Sequence, residues 1–152
     1  MIWQRVSVED AQRLIADGWI YLDVRSEEEF ELARVPGSLN VPFEIVQGEQ
    51  LIPNDQFIDC MNQHFGRGER LLLGCRSGRR SLHAAAVLEK LGFTELRELQ
   101  TGFEGSRDAF GQLTPGWSRA GLPVETGESD GRSYRDILSR REPPPKDEAG
   151  PP

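Results

Sequence analysis

The sequence predicts an α/β domain with a mainly parallel sheet flanked by helices. Two observations carry this reading. Short apolar runs of strand character alternate with capped, amphipathic helical stretches along residues 1–124. The run Arg70-Leu71-Leu72-Leu73-Gly74 has apolar side chains on both faces, as an interior strand covered by helices on both sides requires.

The elements follow in order. Ser7 opens a helix with the capping pattern Ser7-x-x-Asp10, continued by Ala11, Leu14 and Ile15 and ended by Gly18. Trp19 to Val24 reads as a strand. Ser26 caps a brief acidic helix from Glu27 to Leu32, and Pro36-Gly37 forces a turn. A helix is expected from Asp55 to Phe65, with Phe57, Ile58, Met61 and Phe65 on its inner face. After the strand at 70–74, Ser81 to Leu91 reads as a helix with Ala84, Val87, Leu88 and Leu91 inward and Gly92 closing it. Thr94 to Leu99 is the next strand.

The domain is expected to end at residue 124. Residues 125–152 hold five of the ten prolines and few apolar side chains, too few to offset the entropy of ordering, so this tail is expected to be largely disordered. Within it, Tyr134, Ile137 and Leu138 have helical spacing, which would let a short helix dock on the domain or on a protein partner. The whole chain has 152 residues and a formal net charge of −7. That field argues against a nucleic-acid or anionic-membrane surface. No apolar run approaches a membrane span and the first residues lack a secretory core, so a cytoplasmic location is expected.

Two cysteines and two histidines do not make a four-ligand zinc site, and no cofactor or metal is expected. Cys60 and His64 share a helix face, but Cys60 most resembles a small buried hydrophobe. His83 reads as a helix-surface or core residue. Cys75 is different. It opens the turn Cys75-Arg76-Ser77-Gly78-Arg79-Arg80-Ser81 between a buried strand and a helix, the end of the sheet where α/β sites form. Successive backbone amides and the helix N-terminus create an anion-binding concavity that favours thiolate over thiol. From Arg67 to Arg80 there are five arginines and one glutamate, and cations at a helix start oppose its dipole. A bound anion would relieve that conflict. Cys75 therefore reads as a nucleophile, with Arg76, Ser77, Gly78, Arg79, Arg80 and Ser81 as its substrate-binding loop. Asp23, Arg25 and Glu29 are candidate supports. Asp23 could hydrogen-bond the loop, Arg25 and Glu29 could pair with loop charges or each other, and Arg80 is expected to turn inward to Asp23 or Glu29.

Leu22-Asp23-Val24-Arg25-Ser26-Glu27-Glu28-Glu29-Phe30, with Arg34-Val35-Pro36-Gly37-Ser38-Leu39-Asn40-Val41-Pro42, resembles the first signature of rhodanese-like domains. The segment from Cys75 to Ser81, its Ala-rich helix and Leu91-Gly92-Phe93 resemble their active-site signature, and Leu99-Gln100-Thr101-Gly102-Phe103 the Gly-containing turn that follows. The resemblance implies a single-domain sulfurtransferase in which Cys75 carries a persulfide, cradled by the amides of 76–81. It would move sulfur from thiosulfate or a persulfide donor to a thiol or cyanide acceptor. Three departures stand out. Ala33-Arg34 replaces a frequent Gly-His, Thr101 stands where a Gly is frequent, and Trp117 is the expected substitute for a Trp common near Ser106. Two other classes compete. A cysteine phosphatase or arsenate reductase on the related fold needs a larger oxyanion cradle with Arg sixth after Cys, where this chain has Ser81 and has Arg80 fifth. A regulatory rhodanese-like binding module commonly lacks the nucleophile that Cys75 supplies.

Overall fold

The computed structural model describes residues 3–140. Five parallel strands form the central sheet in the order β1-β7-β6-β2-β3. These are β1 (Gln4–Val6), β2 (Ile20–Asp23), β3 (Leu39–Asn40), β6 (Leu71–Gly74) and β7 (Leu96–Leu99). The helices are α1 (Val8–Ala16), α2 (Glu27–Leu32), α3 (Phe57–His64), α4 (Arg79–Lys90) and α5 (Tyr134–Leu138). Two antiparallel hairpins, β4 (Glu44–Gln47) with β5 (Gln50–Pro53) and β8 (Gly105–Arg107) with β9 (Leu113–Pro115), lie outside the sheet.

The caps work as their residue types require. Ser7 Oγ accepts from Asp10 N, and Ser26 with Glu29 forms a complete capping box on α2. The centre of the sheet is β6, whose four residues are all buried. Leu71 and Leu73 face a core with Phe57, Met61, Ala84, Leu88 and Phe93, whereas Leu72 faces the opposite layer with Ala11, Tyr21, Leu99 and Trp117. That two-sided burial is why β6 carries no polar side chain. Among the described residues, no helix is long and apolar enough to cross a membrane.

The structure departs from expectation in four places. The inner face of α3 is Phe57, Cys60, Met61 and His64, an i, i+3, i+4, i+7 stripe, and Ile58 stands one step off it at 43% exposure. Helix α4 starts at Arg79 rather than Ser81, because Gly78 in the left-handed region ends the loop there. The hairpins and the edge strand β1 are too short for a periodic signal.

The fourth departure concerns the domain end. Packing continues past residue 124 to residue 140. Arg34 and Glu125 exchange backbone hydrogen bonds of 3.0 and 2.8 Å, and Asn40 N donates to Arg132 O at 3.0 Å. Tyr134 and Ile137 of α5 are buried in the main core, while Leu138 is exposed. Two apolar side chains and a row of backbone bonds offset the ordering cost that composition alone leaves uncovered. Arg34, one of the departures from the family pattern, is the anchor: it is 1% exposed, its Nε meets Glu125 Oε2 at 2.6 Å, and it donates to Phe30 O and Gly127 O. The rest of the expected tail, residues 141–152, lies outside the described residues.

Candidate active site

Strand β6 delivers Cys75 at its carboxyl end, and the chain turns through 76–78 into α4. The Sγ atom sits inside that turn, with only 1% of the residue exposed. Gly78 N donates to it at 3.1 Å and Ser81 N at 3.4 Å; Ser81 Oγ lies at 3.4 Å. Donors converging on one sulfur are what a charged sulfur needs when removed from water. Gly78 is required by geometry as well as by conformation. Its φ is +99°, and a Cβ there would lie 2.3 Å from Gln100 O.

The loop is clamped from behind by the turn after β7. Phe103 N donates to Cys75 O at 2.7 Å and Glu104 N to Arg76 O at 2.9 Å. Gly102, at φ +68°, makes the approach possible, since a Cβ would meet Arg76 O at 2.5 Å. The neighbouring departure, Thr101, is buried without disturbing this contact. Trp117 closes the layer below, edge-on to Tyr21 at 6.5 Å, with its indole N–H on Pro123 O.

The three loop arginines take separate partners. Arg80 turns inward and meets Glu29 in a two-pronged pair of 2.7 and 3.1 Å. Burial pushes the Glu29 carboxyl up, but the Arg80 hydrogen bonds and charge, with the Ser26 amide and hydroxyl, outweigh it and hold the group at about 2. Arg79 is exposed and pairs with Glu44 at 2.7 Å; Arg76 is exposed and pairs with Glu104 at 3.1 Å. The cationic conflict at the start of α4, read as a sign of a bound anion, is thus met by the chain's own carboxylates. Ser77 is exposed at the loop apex, where it lines a cleft of about 460 Å³ together with Arg76, Glu104, Arg107, Leu113 and Arg119.

Asp23 does not bond the active loop. Its carboxylate is taken by Arg25, through the backbone N at 2.9 Å, Nε at 3.0 Å and Nη2 at 2.8 Å. Arg25 in turn donates to Ala33 O at 2.7 Å and lies 4.5 Å over the Phe103 ring, so the pair braces the clamp turn rather than the loop. Both are buried, and the charges satisfy each other. Glu29 supports the loop directly, through Arg80.

His83 is exposed on α4, and Cys60 and His64 face the core of α3. Burial raises the Cys60 thiol to about 11, consistent with an inert packing role. Two residues near the loop escape the sequence reading. Glu98 of β7 is fully buried and accepts from the Ser81 hydroxyl. Arg5 of β1 pairs with Glu98 at 2.5 Å and donates to Gly78 O at 3.0 Å. The available signal was a glutamate between Leu96 and Leu99 in a strand next to the sheet centre, where a charge needs a partner.

Comparison with known proteins agrees with this architecture. Residues 7–109 match the model of the rhodanese-like domain. Thiosulfate sulfurtransferase 16, chloroplastic, of Arabidopsis thaliana is 32% identical over 120 residues, covering 79% of this chain and 91% of that protein. Senescence-associated protein DIN1 of Raphanus sativus is 35% identical over 120 residues, and there the match spans 79% of this chain but 60% of the relative. The crystal structure of Rv0390 from M. tuberculosis superposes with a TM-score of 0.68 at 29% identity, covering 82% of this chain and 98% of that one. With a family match over most of the chain and the strand–Cys75–loop–helix arrangement at its centre, the chain belongs to the rhodanese-like domain family.

Proposed function

We propose that this domain is a sulfurtransferase that carries sulfane sulfur on Cys75, with the amides of residues 76–81 as the cradle. The observation that carries the reading is the convergence of Gly78 N and Ser81 N on Cys75 Sγ. Membership of the family and a relative named for thiosulfate sulfurtransferase support it. The reaction is a double displacement. The Cys75 thiolate attacks the sulfane sulfur of thiosulfate; the new Sγ–S bond forms as the old S–S bond breaks, and sulfite leaves with the electron pair. A thiolate or cyanide then attacks the outer sulfur, and the Cys75 thiolate is the leaving group. With a persulfide as donor, a thiolate instead of sulfite departs with the electron pair of the broken S–S bond.

Ring size favours sulfur over phosphate. Arg80, fifth after Cys75, is committed to Glu29, and the sixth residue, Ser81, donates its amide to a single sulfur while its hydroxyl donates to Glu98. A tetrahedral oxyanion needs donors at several oxygens at once. The test is an intact-mass spectrum after thiosulfate treatment. The expected result is a gain of one sulfur atom on wild type and on Cys60→Ser, and none on Cys75→Ser. Sulfur transfer by Cys75→Ser, or faster hydrolysis of aryl phosphates than sulfur transfer by wild type, would overturn the reading.

A further inference from the structure

Ser81 stands between two groups that compete for one hydrogen. Its Oγ lies 3.4 Å from Cys75 Sγ on one side and donates to Glu98 Oε2 on the other. A hydroxyl has one hydrogen and two lone pairs. While Glu98 takes the hydrogen, Ser81 can offer Cys75 only a lone pair, which accepts from a thiol S–H and repels a thiolate. The amides of Gly78 and Ser81 act in the opposite sense.

Glu98 is well placed to win the contest. It is fully buried, and Arg5 holds it through Nε at 2.5 Å and Nη2 at 3.3 Å. Among the described residues, Tyr21 of β2 and Arg79 and Arg80 of α4 also interact electrostatically with Cys75. Burial pushes the Tyr21 phenol well up, so it stays neutral, and both arginines are committed to carboxylates.

We propose that Glu98 is a positioning residue that sets the direction of the Ser81 hydroxyl and thereby keeps the resting Cys75 as a thiol. Ionisation of Cys75 is then coupled to reversal of that hydroxyl. The Cys75 S–H bond breaks and its proton passes to solvent, while the Ser81 O–H bond stays intact and turns from Glu98 Oε2 to donate to the new thiolate. Glu98 keeps its charge against Arg5, so the trio gains one negative charge and the step follows pH. When Cys75 is later released as a leaving group, it takes up a proton from solvent and the hydroxyl turns back to Glu98. The coupling is a property of the thiol itself; only its use in turnover rests on the sulfurtransferase reading.

The experiment is the pH dependence of Cys75 alkylation by iodoacetamide, with the full chain carrying Cys60→Ser so that one thiol reacts. Glu98→Gln keeps the shape but can donate to Ser81, which frees the hydroxyl for the thiolate. The midpoint of the profile should fall by about one pH unit, and the rate on its acid side should rise about tenfold. In a Ser81→Ala background the same substitution should move it less than about 0.3 unit, because only the through-space charge remains. Equal shifts in the two backgrounds, or no shift, would overturn the proposal. Ser81→Ala alone supplies a second sign test if Glu98→Gln does not fold. Losing the lone-pair acceptor should also lower the midpoint, whereas a rise would mean that the hydroxyl serves the thiolate and would overturn the proposal too. No sulfur donor enters these measurements, so the mass-spectral test of sulfur transfer stands or falls separately.

Discussion

Replacing Glu29 by Gln isolates the charge that anchors the active loop. The amide keeps the side-chain volume and an oxygen for the Ser26 N–H, which Glu29 accepts at 3.1 Å, but it loses the charge facing Arg80. A carboxyl held at about 2 instead of 4.5 corresponds to about 3 kcal/mol of folding stability at neutral pH. The Glu29 side chain is 28% exposed, so solvent screening reduces this to about 2 kcal/mol, a Tm decrease of roughly 4–8 °C. The pH dependence follows from the sign of the shift. Because the folded group lies below its unfolded value, its contribution is complete above 4.5 and disappears as the pH falls toward about 2. At pH 3 less than about half should remain. Urea unfolding followed by the fluorescence of Trp3, Trp19 and Trp117 measures both proteins across this range. A gap between wild type and variant that is independent of pH, or smaller than about 0.5 kcal/mol at pH 7, would refute the assignment of Glu29 as the anchor of Arg80.

Three further outcomes are expected. Arg76→Ala and Arg79→Ala, which remove exposed guanidinium groups, should raise the KM for thiosulfate several-fold at low salt with the effect fading as salt is added, whereas Arg80→Ala should lower stability with little salt dependence; parallel salt curves for all three would refute the division. Gly78→Ala forces a side chain into a left-handed position 2.3 Å from Gln100 O and should cost about 2 kcal/mol or more, with loss of the mass gain at Cys75; a stable, sulfur-loaded variant would contradict the loop geometry. Ile137→Ala should cost about 2–4 kcal/mol by denaturant titration, because the side chain is fully buried, whereas a segment outside the fold would give a change near zero.

Local chemistry made much of this protein legible in one dimension. The caps Ser7 and Ser26, the doubly apolar run of β6 and the Cys75–Ser81 turn all act over a few residues, so their residue types announce the structure. The inward course of Arg80 could be narrowed to Asp23 or Glu29, but choosing Glu29 needed the fold, since Asp23 is filled by its near neighbour Arg25. Other features exist only when distant segments meet. Glu98 and Arg5 are separated by 93 residues and reach the loop from two different strands. Arg34 looked like a departure from a pattern until Glu125, 91 residues later, came to rest on it. The same holds for α5, whose composition is that of a solvated tail and whose order comes from a core surface assembled elsewhere in the chain. Burial and charge pairing across such distances depend on which surfaces the sheet order brings together, and no local propensity encodes that.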